Sequence, residues 1–197
     1  MHPQTEQAFP VDRSSIEPRV IDIVARALQR PPEDVHLSSS FWSDLGAESL
    51  DMLDIAFSLE RTFGIRVPHS DLVSRAIDRF GEESILQNGM LTDFAAELIR
   101  RSMPELDATR IQPGMRPMDF RKMITVESVI RVVNRLIDVK EQQVCPACSG
   151  RLIDSSSNPE LQCAQCGLTQ PYPSGDQVLI DDLDAVAREI GLPQSAD

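Results

Sequence analysis

The stretch DLGAESLD, residues 44 to 51, places one hydroxyl, that of Ser49, among three carboxylates where an amphipathic pattern begins. Apolar residues recur at helical spacing from here to Phe63, and Gly64 is well placed to end a helix in a left-handed conformation. The sequence therefore predicts a helix over residues 49–63. Its predicted apolar face consists of Leu50, Leu53 and Phe57, with Met52, Ile55 and Leu59 beside them.

Ser49 has two candidate roles at the start of this helix. A serine there can simply cap the helix, which stabilises it by about 1 kcal/mol. Alternatively, it can be a site of attachment, because the unpaired N–H groups and partial positive charge of a helix N-terminus favour a phosphate. Residues 41 to 60 contain five acids and no Lys or Arg, a surface suited to recognition by a basic protein. The predicted recognition residues are Asp44, Glu48, Asp51 and Asp54.

Other helices are predicted on both sides of this segment. A first helix follows Ser15 and stops at Pro31, and another begins at Thr125 with the pattern TVESVIRVVNRLIDV. Two weaker helical patterns lie between them, SDLVSRAIDRF (70–80) and TDFAAELIRR (92–101). The stretch MPELDATRIQPGMRPMDF (103–120) is typical of a Pro-rich loop.

The segment FWSDLGAESLDMLDIAFSLERTFGIRVP (41–68) resembles the core of the acyl carrier protein family, whose signature is D-[LS]-G-x-[DE]-S-L-[DE]. The resemblance implies that a phosphopantetheinyl transferase attaches 4'-phosphopantetheine to Ser49. The thiol of that arm would hold acyl groups as thioesters for fatty acid or polyketide-type biosynthesis. The family carries intermediates between separate enzymes, so the chain itself is expected to catalyse nothing.

The chain departs from the family in its middle. The family usually joins its second and last helices by a loop and one short helix, whereas 56 residues separate Pro68 from Thr125 here. The predicted fold is mainly α: an acyl-carrier-type helical bundle over residues 14–140, with extra helices inserted before its last helix. The insert is placed at about residues 69–117.

The four cysteines lie within 22 residues, as the pairs CPAC and CAQC separated by 14 residues. Each C-x-x-C pair can form a knuckle, a tight turn that directs two thiolates to one point. Two knuckles predict a closed site of four thiolates for structural Zn²⁺, with ligands Cys145, Cys148, Cys163 and Cys166. A rubredoxin-like iron site has similar knuckles and stays open as an alternative. Disulfides do not suit a cytosolic chain, and a redox C-x-x-C needs only one pair.

Residues 141–197 are predicted to form a separate β-rich zinc ribbon with a short terminal helix. Strand-like pieces occur at RLI (151–153), ELQ (160–162) and QVLI (177–180). The segment from VCPAC to QVLIDD resembles a small zinc-ribbon family that activates methyltransferases, which implies a protein partner. This resemblance supports an alternative function: a non-carrying adaptor whose ribbon binds and stabilises a partner enzyme.

The composition limits the classes of partner. The chain has 31 Asp and Glu against 19 Lys and Arg, a net charge of −12. Such a charge repels nucleic acid and anionic lipid. No run of 18 apolar residues predicts a membrane span, and residues 1–13 suggest a disordered lead without a secretory signal. The expected location is the cytosol.

Overall fold

The computed structural model describes residues 13–155 and 160–191. The predicted lead, residues 1–13, lies outside the described residues except for Arg13. The helices are α1 (Ile16–Ala27), α2 (Ser49–Phe63), α3 (Leu72–Phe80), α4 (Glu82–Ile85), α5 (Asp93–Ser102), α6 (Pro117–Arg121), α7 (Val126–Glu141) and α8 (Gly175–Ile190). The strands are β1 (Leu86–Gln87), β2 (Met90–Leu91), β3 (Leu152–Asp154), β4 (Glu160–Cys163) and β5 (Thr169–Pro171). Short 3-10 turns occupy Arg13–Ser15, Pro32–Asp34 and Ala108–Arg110.

The mainly α fold class predicted from the sequence is confirmed, including the extra helices before α7. Local signals place the helix ends correctly. Thr92 and Thr125 cap α5 and α7 by accepting hydrogen bonds from the N–H groups of Ala95 and Ser128. Gly64 ends α2 in a left-handed conformation with φ 58°.

A first hydrophobic core joins α1, α2 and α7, the three helices predicted for the bundle. Its members are buried side chains from all three helices and from the loop before α2, among them Val20, Phe41, Ile55, Leu59 and Ile137. Backbone hydrogen bonds fix the start of α7 beside that loop: Phe41 N–H donates to the Ile124 carbonyl at 3.2 Å, and Val126 N–H to that of Ser39 at 3.1 Å. The beginning of α7 is therefore held close to the segment that leads to Ser49.

A second core lies in the residues between α2 and α7, and α8 completes it. Buried apolar side chains from α3, α5 and the loops around them pack with Leu183 and Ala187 of α8. Ion pairs hold the same helix: Arg79 of α3 with Asp184 at 2.7 Å, and Arg135 of α7 with Asp182. The limits of the insert, 69–117, and the domain boundary near residue 141 stay predictions. The insert nevertheless shares its core with residues that follow the cysteines.

Residues 144–171 contain a three-stranded antiparallel sheet in the order β3-β4-β5. The strand predicted at QVLI (177–180) is wrong, because these residues lie in the first turns of α8. The terminal helix is not short either: it has 16 residues and begins at Gly175. Its apolar residues contact the two cores, which favours a helix over the period-2 pattern that the short stretch suggested.

The stretch predicted as a Pro-rich loop contains a 3-10 turn and the start of α6, where Pro117 takes the first helical position. Within residues 13–155 and 160–191, none of the helices is both long enough and apolar enough to cross a lipid bilayer.

Candidate functional site

Ser49 is the first residue of α2 and is exposed. The residue at the N-cap position is Glu48, whose backbone N–H donates to Asp51 Oδ2 at 2.7 Å. The Ser49 hydroxyl has no hydrogen-bond partner within the described part of the chain. The helix is thus capped by other residues, and the Ser49 oxygen is left accessible to solvent.

The loop before Ser49 is held rigidly from both ends. Asp44 Oδ2 accepts the backbone N–H of Ser40 at 2.8 Å, and Gly46 turns the chain with a φ of 67°. The hydroxyl of Ser40 donates to the carbonyl of Lys122 at 2.5 Å, which ties the loop to the segment before α7. Phe41 and Leu45 are buried beneath it. The position of Ser49 is therefore set by contacts with the core and with the segment that precedes α7.

The four acidic residues predicted for partner recognition are in two different situations. Asp44 and Asp51 accept backbone hydrogen bonds and shape the loop and the helix start. Glu48 and Asp54 are exposed, and neither side chain has an ion-pair partner in residues 13–155 and 160–191. All four carboxylates lie within five positions of Ser49 in the sequence, so the surface near its hydroxyl is negative.

The apolar face predicted for α2 is only half correct. Of the six predicted residues, Ile55 and Leu59 are buried in the first core and Met52 packs against it. Leu50, Leu53 and Phe57 instead point to solvent, with 76%, 54% and 66% of their surface exposed. They form a second apolar line on the outer side of the helix, which we call the outer stripe of α2 (Leu50, Leu53 and Phe57).

An open cavity of about 380 Å³ lies at the C-terminal end of the outer stripe. Its lining combines the last turns of α2 and the chain after them with one residue that follows β5: Phe57, Glu60, Arg61, Gly64, Ile65, Arg66 and Tyr172. Gly64 allows this close approach, since a Cβ there would lie 3.2 Å from both Tyr172 Oη and Lys140 Nζ.

Tyr172 lies at the cavity beside the ammonium group of Lys140. Lys140 Nζ of α7 donates to Asp154 at 3.1 Å and to the Phe63 carbonyl at 3.3 Å, and it lies 5.2 Å from the centre of the Tyr172 ring. Burial raises the pKa of Tyr172 to about 12, and the negative charge of Asp154 and a hydrogen bond from the phenol to that carboxylate act in the same direction. The phenol therefore keeps its proton at neutral pH and donates it in a hydrogen bond to Asp154.

The four cysteine sulfurs come together, with all Sγ atoms within 4.8 Å of one another. Cys145 and Cys166 are 3.5 Å apart, as are Cys148 and Cys163. Four sulfurs at about 2.3 Å from a central ion would lie about 3.8 Å apart, so the donor set fits a tetrahedral metal ion. The sulfurs of Cys145 and Cys163 belong to buried residues, and those of Cys148 and Cys166 to exposed ones.

Backbone N–H groups favour the thiolate form of Cys163, whereas the neighbouring sulfurs raise the pKa of Cys166. The N–H groups of Cys166 and Gln165 point at Cys163 Sγ at 3.5 and 3.4 Å and lower the pKa of that thiol to about 6. Gly167 turns the chain with a φ of 75°. These features are those of a thiolate metal site, because only the deprotonated sulfur binds the ion.

Sequence reasoning missed Tyr172, Lys140 and Asp154, which come from three different elements. A lysine in a helix, an aspartate ending a strand and a tyrosine in a loop carry no local pattern. Only the tertiary fold brings them to the end of α2.

The chain is similar to known proteins over part of its length. The family model described as "Phosphopantetheine attachment site" matches residues 18–76, a segment that contains Ser49 and ends within α3. A protein of Bdellovibrio bacteriovorus described as "Acyl carrier protein" is 37% identical to this chain over 57 residues, which is 29% of this chain and 73% of that protein. No solved structure is significantly similar to the chain.

Proposed function

The chain belongs to the acyl carrier protein family, and from this premise we propose that 4'-phosphopantetheine is attached to Ser49 and holds acyl groups as thioesters. The observation that carries the proposal is the exposed Ser49 hydroxyl at the first residue of α2, inside the segment that matches the family model. A transferase can reach this oxygen without unfolding any part of the bundle. The rigid loop before it presents the hydroxyl in a constant position.

The acidic surface around Ser49 suits the recognition of basic enzymes. Asp54 and Glu48 provide exposed carboxylates, although that of Glu48 also accepts the backbone N–H of Asp51. Asp44 and Asp51 add charge and also shape the site. Charge complementarity of this kind orients the partner and raises the association rate. The partners of this proposal are a phosphopantetheinyl transferase and acyl-chain synthases or transferases with basic docking surfaces.

The chain would supply position and recognition, and separate enzymes would perform the chemistry. The proposed setting is fatty acid or polyketide-type biosynthesis in the cytosol, which rests on the family resemblance. In this role the carrier catalyses no step, because the thioester supplies the reactive acyl group and the partner enzyme supplies the catalytic residues.

The cysteine cluster is proposed to bind one structural Zn²⁺ through Cys145, Cys148, Cys163 and Cys166. The compact arrangement of their sulfurs supports this proposal, and four thiolates leave no open position for catalysis. Bound metal would stabilise a segment whose own core is small. We further propose that the resulting ribbon docks one dedicated partner enzyme.

Intact mass spectrometry tests attachment. The purified chain is incubated with coenzyme A and a phosphopantetheinyl transferase, and one phosphopantetheine should be gained. The gain should be lost in Ser49→Ala and kept in Ser58→Ala, a matched serine on the same helix. Failure of the wild-type chain to gain mass with any transferase would favour the non-carrying adaptor.

Metal analysis of the same samples tests the cysteine site. One equivalent of zinc per chain is expected, falling below one in Cys148→Ser. One equivalent of iron would replace the zinc proposal with the rubredoxin-like alternative.

A further inference from the structure

The outer stripe of α2 leads from the proposed attachment site to the cavity at the other end of the helix. Leu50, Leu53 and Phe57 stand at spacings of three and four residues, so they lie on one line along the helix surface. All three are more than half exposed, which is unusual for three large apolar side chains in a row. The line starts beside Ser49 and ends at Phe57, which itself lines the cavity.

The arm is long enough to pass along the whole line and reach the cavity beyond Phe57. With a rise of 1.5 Å per residue, Phe57 lies about 12 Å and Arg61 about 18 Å from Ser49 along the helix axis. From ordinary bond lengths, an extended phosphopantetheine arm spans about 18 Å from the serine oxygen to its sulfur. An arm laid along the stripe would therefore bring its thioester to the cavity.

The cavity is rich in hydrogen-bond donors and has a positive balance. Arg66 pairs with Glu60 at 3.6 Å, whereas Arg61 has no carboxylate partner in the described ranges 13–155 and 160–191. The phenol of Tyr172 also lines the cavity and donates its proton in a hydrogen bond to Asp154. Two guanidinium groups against one carboxylate are conspicuous in a chain with a net charge of −12. Donors and excess positive charge favour a ligand that ends in a carboxylate.

We propose that this cavity receives the acyl group carried by the arm on Ser49, and that this acyl group ends in a carboxylate. The inference rests on the proposed function and adds the chemical class of the cargo. The outer stripe packs against the apolar part of the arm, Arg61 binds the terminal carboxylate, and the ring of Tyr172 lines the side of the cavity. A volume of about 380 Å³ suits a short acyl group. Because Tyr172 comes from the chain after the cysteines, the ribbon takes part in holding the cargo.

Tyr172 offers a direct readout, since it is the only tyrosine in the chain. The full metal-loaded chain is prepared with fluorotyrosine, so that ¹⁹F NMR shows a single resonance from the cavity. The spectrum is recorded for the unmodified chain and for chains loaded from hexanoyl- and adipoyl-coenzyme A, which differ in the terminal carboxylate. The resonance is expected to move on loading, and to move further with the adipoyl group.

Arg61→Gln should abolish the additional shift of the adipoyl form and keep the shift of the hexanoyl form. Arg19→Gln, an exposed arginine on α1, is the matched control and should change neither. Equal shifts for the two cargoes would overturn the carboxylate assignment. An unmoved resonance in every loaded form would overturn the whole inference, and would leave the outer stripe as a contact surface for partner proteins.

Mass spectrometry of each NMR sample separates this inference from the proposed function. If Ser49 gains no arm, the proposed function fails and the inference fails with it. If loading is complete and the Tyr172 resonance stays in place, only the inference fails.

Discussion

Lys140 near the end of α7 and Asp154 at the end of β3 form a partly buried ion pair, with Nζ 3.1 Å from Oδ1. Only 9% of the lysine side chain and 30% of the aspartate side chain are exposed. The pair connects the helical bundle to the sheet of the cysteine-containing segment. It also lies beside Tyr172, so the cavity at the end of α2 depends on it.

Replacing Lys140 should be costly because it leaves Asp154 without its cation and the Phe63 carbonyl without a donor. Lys140→Met should lower the free energy of unfolding by about 2 to 3 kcal/mol, somewhat less than for a fully buried pair. Urea denaturation of the metal-loaded protein measures it. The control is Lys122→Met, whose ion pair with Asp119 is exposed and should contribute less than about 1 kcal/mol. Equal losses for the two variants would contradict a structural role for Lys140.

Substitution of two apolar residues on α2 should change stability by very different amounts. Leu59→Ala should cost about 2 to 4 kcal/mol, because the removed side chain is 3% exposed and leaves a cavity in the first core. Phe57→Ser should change stability by less than about 0.5 kcal/mol, because the ring already faces solvent. Thermal or chemical denaturation distinguishes them. A large loss for Phe57→Ser would show that the outer stripe is buried after all.

Asp51 and Asp54 carry the same charge, but only Asp51 makes a hydrogen bond that holds the start of α2. Both Asp51→Ala and Asp54→Ala should lower the kcat/KM of the phosphopantetheinyl transferase about three- to tenfold at low salt, through lost attraction. Only Asp51→Ala should also destabilise the chain, by about 1 kcal/mol, since it removes the acceptor for the Glu48 N–H. Transferase kinetics at two salt concentrations and denaturation curves measure the two effects separately. If the kcat/KM of the transferase is the same for the wild-type chain and for both variants, recognition does not depend on these charges.

Asp176, in the first turn of α8, should make stability depend on pH. Burial raises its pKa, but the hydrogen bonds from His69 and Arg75 lower it more, so that the pKa lies below the usual value. A carboxyl with a lowered pKa in the folded state stabilises the protein above its unfolded pKa of about 4 and loses that effect as the pH falls through the folded pKa. Asp176→Asn should therefore cost about 1 to 2 kcal/mol at pH 7 and less at acidic pH.

Urea denaturation across pH, restricted to conditions in which metal analysis finds one equivalent bound, measures the Asp176 effect. Asp181→Asn on the exposed side of the same helix is the control and should show a smaller, flatter difference. A difference for Asp176→Asn that is constant with pH would exclude the proposed titration.

Gly175, the first residue of α8, lies against the backbone of Arg66, Val67 and Pro68. A Cβ there would overlap those backbone atoms, so Gly175→Ala should destabilise the chain by about 2 to 3 kcal/mol. Helix propensity alone predicts the opposite sign, a gain of roughly 0.5 to 1 kcal/mol for alanine in a helix. The direction of the change in urea denaturation is therefore diagnostic, and a stabilised variant would mean that α8 packs elsewhere.

Sequence patterns alone predicted the parts of the molecule that depend on neighbours along the chain. The signature around Ser49, the caps at Thr92 and Thr125, the terminating Gly64 and the two cysteine pairs are all local features. The interactions that produce these features involve residues only a few positions apart. They are the hydrogen bonds of the first helical turn, the left-handed turns, and the tight turns that direct two cysteine sulfurs to one point. The residue types and their spacing are therefore enough to assign these positions.

Tertiary structure decided which side of α2 is buried, because apolar residues occur on both sides of that helix and the sequence pattern cannot choose between them. Tertiary contacts also accompany the helical state of QVLI (177–180): these residues belong to α8, whose Leu183 and Ala187 pack in the second core. The cavity between α2 and Tyr172 belongs to the same class of feature. This cavity depends on contacts between residues more than 100 positions apart. Sequence patterns reflect interactions between residues that are close along the chain, so they cannot predict such contacts.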